Sequence, residues 1–354
     1  MPAVANIVIL AGLLTGLVYG AVGLLSNFCL VSSLRGWWAQ GDSRLVRTYA
    51  LAMGVAIAAT QLLAVRQVVD LGKSIYLQPT FSAPLMFVGG VLFGYGMVLS
   101  NGCGSRALVL LGRGNLRSLV VVIVLGIAAG MTLKGLIAPG RIDALQWTQV
   151  TTSITSLPLL IAKLGVSETF ARTLVAPIVS AALIIFAFSH APFQRAWGQI
   201  AAGIIVGLLI AAGWYATGYL GADDFNPTPV TSLTFVAPIA DTLQYLMLST
   251  GLTLNFGIVT VAGVFAGSLV TALATQRFHW EGYNSPQHIL RSVSGAALMG
   301  VGGACALGCS VGQGLTGLST LALPSFVAIA GIFAGTAIGL RGALRVRPLA
   351  STSA

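Results

Sequence analysis

Long stretches of this chain contain no Lys, Arg, Asp or Glu, among them residues 1–34, 48–65, 74–105, 196–222, 242–276 and 292–340. A helix needs only about 20 apolar residues to cross the hydrocarbon of a bilayer. The last stretch, at 49 residues, holds enough for two crossings, so something other than a charged loop turns the chain there. With 18 Lys and Arg and 8 Asp and Glu in 354 residues, the sequence lies far from the charge content of soluble domains. The reading is an integral membrane protein in contact with a lipid bilayer.

The net charge of +10 is not gathered into the basic stripe that nucleic acid requires, so nucleic acid is excluded as a partner. The basic residues instead flank the apolar runs, as cytoplasmic loop residues do. Arg35, Arg44 and Arg47 follow the first run, and Arg341, Arg345 and Arg347 follow the last. This places the N-terminus outside, the C-terminus inside and the number of crossings at an odd value. The first run lacks a preceding Lys or Arg and a small-residue cleavage site, so it reads as a retained span rather than a secretion signal. Spans are expected near 4–28, 48–66, 83–101, 117–137, 171–190, 197–219, 231–250, 256–276, 290–307 and 322–341. That list is even-numbered, and 231–250, which carries Asp241, is the segment expected to enter and leave on one side. The more polar 138–172 reads as a connector lying along the membrane interface.

An internal repeat organises the rest. Shifting the chain by 206 residues lays Gly89, Gly94, Gly96, Gly102 and Cys103 on Gly295, Gly300, Gly302, Gly308 and Cys309. Close helix packing in lipid explains glycines at such spacing, but not a Gly-Cys pair at the same register twice. If Arg66 and Lys73 lie outside while Arg277, His279 and Arg291 lie inside, the two copies are inverted, as in many secondary transporters. The expected architecture is an all-α polytopic membrane protein of pseudo-symmetric inverted repeats with broken helices. It has about nine spans plus short re-entrant helices. Residues 1–137 form the first half, 138–230 the connector and linking spans, and 231–354 the second half.

The chemistry centres on the two breaks. Asn101, Gly102, Cys103, Gly104 and Ser105 interrupt one apolar span, and Gly308, Cys309, Ser310 and Gln313 interrupt another. A helix broken within lipid exposes backbone groups and survives only where protein or a polar cavity satisfies them. A short helix restarting after the break aims free N–H groups and the positive end of its dipole at that cavity. Two such ends converging make an anion site, and a neutral thiol adds a weak S–H donor and a polarizable sulfur without a charge in the membrane. A lone Cys in an apolar span is ordinarily a small buried hydrophobe, and spacing alone reads Cys29 and Cys305 that way. Cys305 remains a further candidate, because a helix continuing past it would put it on the face of Cys309. The three His, at 190, 279 and 288, lie near span ends and complete no metal site with the cysteines. The sequence carries no nucleotide loop and no catalytic triad, so neither an enzyme nor a cofactor protein is expected.

At these residues the sequence resembles the YeeE/YedE family of bacterial sulfur-transport membrane proteins. The resemblance rests on Ser26-Asn27-Phe28-Cys29 with Arg35 after it, Ser-Asn-Gly-Cys-Gly at 100–104, Asn255-Phe256-Gly257, and Gly-Cys-Ser-Val-Gly-Gln-Gly at 308–314. It implies an hourglass-shaped transporter of the bacterial inner membrane that takes up thiosulfate or a related sulfur anion. Three thiols, by motif Cys29, Cys103 and Cys309, would pass the ion along a constriction. It also implies a sulfur-carrier protein in the cytoplasm as partner. The chain departs from the family at Asn27, where a basic residue often precedes the Phe-Cys. A different class of function that also uses apposed cysteines is a membrane thiol–disulfide electron carrier. The absence of a Cys-x-x-Cys pair favours transport.

Overall fold

A computed structural model describes residues 2–163, 167–223, 228–283, 285–342 and 344–346. Arg347 lies outside the described residues. The first half runs α1 (Pro2–Ser26), α2 (Leu30–Gln40), α3 (Arg44–Val65), α4 (Ala83–Leu99), α5 (Gly104–Gly112) and α6 (Leu116–Leu133). The middle contributes α7 (Ala138–Thr148), α8 (Leu157–Ala162), α9 (Glu168–Phe188) and α10 (Ala191–Gln194). The rest is α11 (Trp197–Tyr215), α12 (Val236–Met247), α13 (Phe256–Ala274), α14 (Pro286–Cys305) and α15 (Leu323–Arg341), with a π-helical turn over Gly312–Gly317 before α15. β1 (Thr80–Phe81) and β2 (Val150–Thr151) pair antiparallel and fasten the 138–172 region to the loop before α4.

This is a helical membrane protein. By length and composition, seven of the described helical segments are apolar enough to cross a bilayer. The outer face of α1 is exposed at Ile7, Leu10, Leu14 and Val18, an apolar stripe at helical spacing suited to lipid. Local sequence sets the starts. Ser82 accepts from the Leu85 N–H at 3.1 Å with Pro84 in the first turn of α4, and Asn255 accepts from the Ile258 N–H at 2.9 Å to open α13. Caps of this kind contribute about 1 kcal/mol each.

Segment 231–250 contains α12, a 12-residue helix of about 18 Å, too short to cross. It starts among buried residues at Val236 and Ile239 and ends with Leu246 and Met247 exposed. The helix α2, in the 28–44 interval, has no counterpart in the span expectations. It is also short, at 11 residues, and starts in the core with Leu30 and Val31 buried.

Helices pack in a reciprocal pattern. Helix α1 packs on α13 and α11 on α3; α4 packs on α15 and α14 on α6; α2 packs on α3 and α12 on α13. Helices α4 and α14 pack on each other, and their glycines meet crosswise. A β-carbon on Gly89 would stand 2.7 Å from the Gly302 carbonyl oxygen, and one on Gly96 would stand 2.6 Å from that of Gly295. The same shift of 206 residues that relates the motifs relates 89 to 295 and 96 to 302. Backbone lies against backbone here because no side chain intervenes.

Candidate functional site

Three cysteines stand at three interruptions built in one way: each comes two residues after a residue in the left-handed backbone region. Asn27 (φ 54°) precedes Cys29, Asn101 (φ 59°) precedes Cys103 and Leu307 (φ 56°) precedes Cys309. At the end of α4 the Gly102 N–H reaches back to the Met97 carbonyl at 3.0 Å, and at the end of α14 the Gly308 N–H reaches the Gly303 carbonyl at 2.8 Å. These are the closing bonds of a helix ended by a left-handed residue. Asn takes that conformation readily, whereas for Leu it costs about 1–2 kcal/mol.

Each cysteine then opens a new segment. Cys29 is the N-cap of α2 and Cys103 the N-cap of α5, both with extended backbone. The Ser33 hydroxyl donates to the Cys29 carbonyl at 2.7 Å. The Cys309 sulfur accepts from the Gly312 N–H at 3.3 Å and its carbonyl from the Gln313 N–H at 2.7 Å, so it holds the start of the π-helical turn, whose N-cap is Val311. All three thiols are free, with 3%, 1% and 0% of their surface exposed, and belong to one continuous core cluster. Cys29 and Cys103 are immediate neighbours, and Cys309 lies within electrostatic reach of Cys103.

The other motif residues surround them. Ser105 Oγ lies 3.2 Å from the Cys103 sulfur and accepts from the Tyr19 hydroxyl at 3.3 Å. The Ser310 carbonyl accepts from the Tyr49 hydroxyl at 2.6 Å. Gln313 donates to the Ala306 carbonyl at 2.7 Å, while its buried Oε1 has no protein partner. The buried Tyr76 lies close by, its hydroxyl directed at Thr234. Buried polar atoms of this kind are ordinarily satisfied, so the Gln313 oxygen is an available acceptor at this break. Gly102 lacks the side chain that would meet Arg106, and a β-carbon on Gly104 would stand 3.2 Å from Ile239.

Cys305 is placed elsewhere. Helix α14 ends at it, and the reversal at Leu307 removes the shared face with Cys309 expected for a continuing helix. It packs against Gly89 of α4, partly exposed and outside the core cluster.

Sequence reasoning missed the three tyrosines, which arrive from α1, α3 and the 66–82 loop and carry no shared motif. It also read Cys29 as the end of a span, although Ser26-Asn27-Phe28-Cys29 and Ser100-Asn101-Gly102-Cys103 share Ser-Asn-x-Cys. That pattern was the available signal.

Two cavities differ sharply in their lining. One, of about 830 Å³, is lined by seven arginines, Arg35 and Arg106 among them. Its single carboxylate among the described residues is Glu281. The other, of about 400 Å³, is lined by Gln61, Gln67 and Asp70 and by no Lys or Arg among the described residues. Glu281 is already committed: it ion-pairs with Arg113 at 2.6 Å, contacts His279 Nε2 at 2.5 Å and accepts from the Asn115 side-chain amide. Burial pushes its carboxyl up, but the His279 bond and the Arg113 charge outweigh this and hold it below the ordinary carboxylate range.

Compared with known proteins, the chain matches the sulphur transport family over residues 25–338. It is 25% identical over 330 residues to the thiosulfate transporter TsuA of Escherichia coli K12, covering 87% of this chain and 86% of that one. It is 24% identical over 334 residues to the thiosulfate transporter TsuA of Spirochaeta thermophila, covering 90% and 93%. The family and these relatives are transporters rather than enzymes. The apolar helices, the paired interruptions and the family match agree: this chain belongs to the sulphur transport family of multi-pass membrane proteins.

Proposed function

We propose that this protein takes up thiosulfate, or a closely related sulfur-containing anion, across the bacterial inner membrane through a constriction lined by Cys29, Cys103 and Cys309. The observation that carries this reading is the clustering of three buried thiols, each at the start of a new segment after a helix break. Helix α5 directs unpaired N–H groups toward Cys103, which favours an anion over a neutral solute. Thiols donate weakly, and weak donors let an ion leave as readily as it enters. The ion passes by exchanging hydrogen bonds between thiols, with no bond made or broken at sulfur. Gln313, Ser105 and Ser310 shape the path around them.

The arginine-lined cavity faces the cytoplasm in this reading, since basic residues mark the inner side. The N-terminus is then periplasmic, the C-terminus cytoplasmic, and a cytoplasmic sulfur-carrier protein is the expected recipient. The halves form inverted repeats, as the reciprocal helix contacts suggest.

One observation favours the second reading. Cys29 and Cys103 are neighbours, as a thiol–disulfide carrier would need. The deciding experiment for the primary reading is growth of a thiosulfate-uptake-deficient bacterium on thiosulfate as sole sulfur source. Growth should depend on this gene, and growth unaltered by it would refute the proposal.

A further inference from the structure

The loops that lead into α4 and α14 are built alike at their ends and differ in between. Gln67 (φ 55°) follows the end of α3 and Gln276 (φ 55°) the end of α13, each two residues past its helix. Ser82 and Ser285 then cap α4 and α14, each with a proline in the first turn. Ser82 follows Gln67 by fifteen residues, whereas Ser285 follows Gln276 by nine. The longer loop turns inward, with Val69, Leu71, Ser74 and Tyr76 buried. In the shorter one, none of the residues from Arg277 to Tyr283 is buried.

Helices α4 and α15 run between the two cavities. Leu77 and Thr320, just ahead of them, line the smaller cavity, and Val98, Leu340 and Arg341, at their far ends, line the larger. The inward loop supplies six of the eleven described residues around the smaller cavity. Gln61, which also lines it, donates to the Ser319 carbonyl at 2.8 Å, and Trp214 Nε1 donates to the Ser319 hydroxyl at 3.1 Å. The Tyr76 ring meets that of Trp214 edge-on at 6.1 Å. Tyr76 faces Thr234, whose hydroxyl would stand 2.5 Å from a β-carbon on Gly312, the residue that donates to the Cys309 sulfur. This chain of contacts places the Tyr76 and Trp214 rings between the cavity wall and the Cys309 break.

Side-chain packing, rather than backbone pairing, holds the segment down. Among the described residues, the backbone hydrogen bonds of 69–77 stay within it: Lys73 to Asp70 at 3.4 Å, Ser74 to Leu71 at 3.0 Å and Leu77 to Ser74 at 3.4 Å. The Ser74 hydroxyl is buried with no partner among the described residues, a cost that ends once water reaches it. Fixed points lie on either side, at the left-handed Gln67 and at β1, which is paired with β2. A segment with so few bonds to its surroundings opens at lower cost than the helices around it.

We propose that residues 69–77 form a gate over the thiols on the side away from the arginines, closed in this structure, with Tyr76 as the plug above Cys309. The gate swings on Gln67 and β1 and carries Tyr76 off Trp214. The smaller cavity then joins the path to Cys309. At the other end the shorter loop stays on the surface, so the arginine-lined cavity has no such cover. One copy of a duplicated loop has become a door, and the other has not.

This inference rests on the transport reading, and two readouts keep them apart. A β-carbon on Gly218, in the turn that follows α11, would stand 3.3 Å from the β-carbon of Val69, close to the separation found in disulfides. Val69→Cys combined with Gly218→Cys therefore pins the segment down when oxidised. Labelled thiosulfate uptake is measured in vesicles carrying this double variant, oxidised and then treated with dithiothreitol, beside wild type treated identically. Relative to wild type, the oxidised form should lose about tenfold or more in uptake, and the reduced form should regain it. In parallel, labelling of Cys309 by a small anionic methanethiosulfonate added on the side of the smaller cavity is followed by mass spectrometry. It should slow about tenfold in the pinned protein and quicken about tenfold in Tyr76→Ala.

If wild type takes up no thiosulfate, the transport reading fails and the labelling rates alone judge the gate. Uptake untouched by a cross-link that has formed overturns the gate. So does Cys309 labelling that neither the cross-link nor Tyr76→Ala changes, because the thiol would then be reached by another route.

Discussion

Phe235 occupies the N-cap of α12 as Cys29 occupies the N-cap of α2, 206 residues earlier. Three of four equivalent positions around the core therefore carry thiols, and the fourth carries a fully buried phenyl ring packed 5.3 Å from the ring of Tyr19. The ring fills the volume that a fourth thiol would leave open. Phe235→Ala should lower stability by about 3 kcal/mol and admit sulfate, which vesicle uptake of labelled sulfate would detect. A variant as stable and as selective as wild type would show that the ring plays no part in shaping the path.

Cys103→Ser separates hydrogen bonding from covalent chemistry. Serine keeps a donor beside Ser105 but forms no disulfide, so uptake in vesicles should remain measurable, though slower. Uptake by the wild type should also persist under a strong reductant. Transport that stops under reductant, with Cys103→Ser as inactive as Cys103→Ala, would establish the thiol–disulfide alternative.

Cys305→Ala should be tolerated in thiosulfate-dependent growth, while Cys309→Ala should abolish it. Cys305 sits on the α4 contact at Gly89, whereas the Cys309 sulfur accepts from Gly312 at the heart of the cluster. Equal loss from both substitutions would mean that the site is wrongly placed.

Glu281 fastens the loop before α14 to the loop before α6, with backbone bonds from Leu116 to its carbonyl at 2.9 Å and from its own N–H to Gly114 at 3.2 Å. Its carboxyl is held below the ordinary value, so its contribution is complete above the ordinary carboxylate range and is lost as pH falls through the lowered folded value. Partial exposure limits that contribution, and Glu281→Ala should cost about 1 kcal/mol at neutral pH. Thermal unfolding in detergent, compared at neutral and acidic pH, should show the variant's deficit shrinking in acid. A deficit that persists unchanged would assign the role to packing.

The breaks at Cys103 and Cys309 were legible because Gly and Cys recur there at one register, and a repeat is a local pattern. The break at Cys29 was hidden because Phe28 stands where the other two motifs have Gly, leaving Asn27 alone to signal the reversal. Cys305 was misaligned because nothing in an Ala-Leu-Gly sequence announces that Leu307 takes the left-handed conformation. Helices α2 and α12 are too short for a span-length window. Tyr19, Tyr49, Tyr76 and the bond from Arg35 to Asn101 depend on contacts between elements distant in sequence, so only the folded chain brings them into view.

The crosswise glycine contacts of α4 and α14 bear on how such a pore opens. Many transporters built from opposed halves alternate access by rocking one half against the other. Here a slide along the shared axis would drive the Gly89 backbone over Gly302 and that of Gly96 over Gly295, with no flexible side chain between them to yield. That axis is a weld rather than a bearing. The moving parts are confined to what is short and unwelded, namely the caps at the three breaks, the half-length helices, the segment 69–77 and the side chains between them. In the proposed uptake an ion would pass through local rearrangements within a rigid frame.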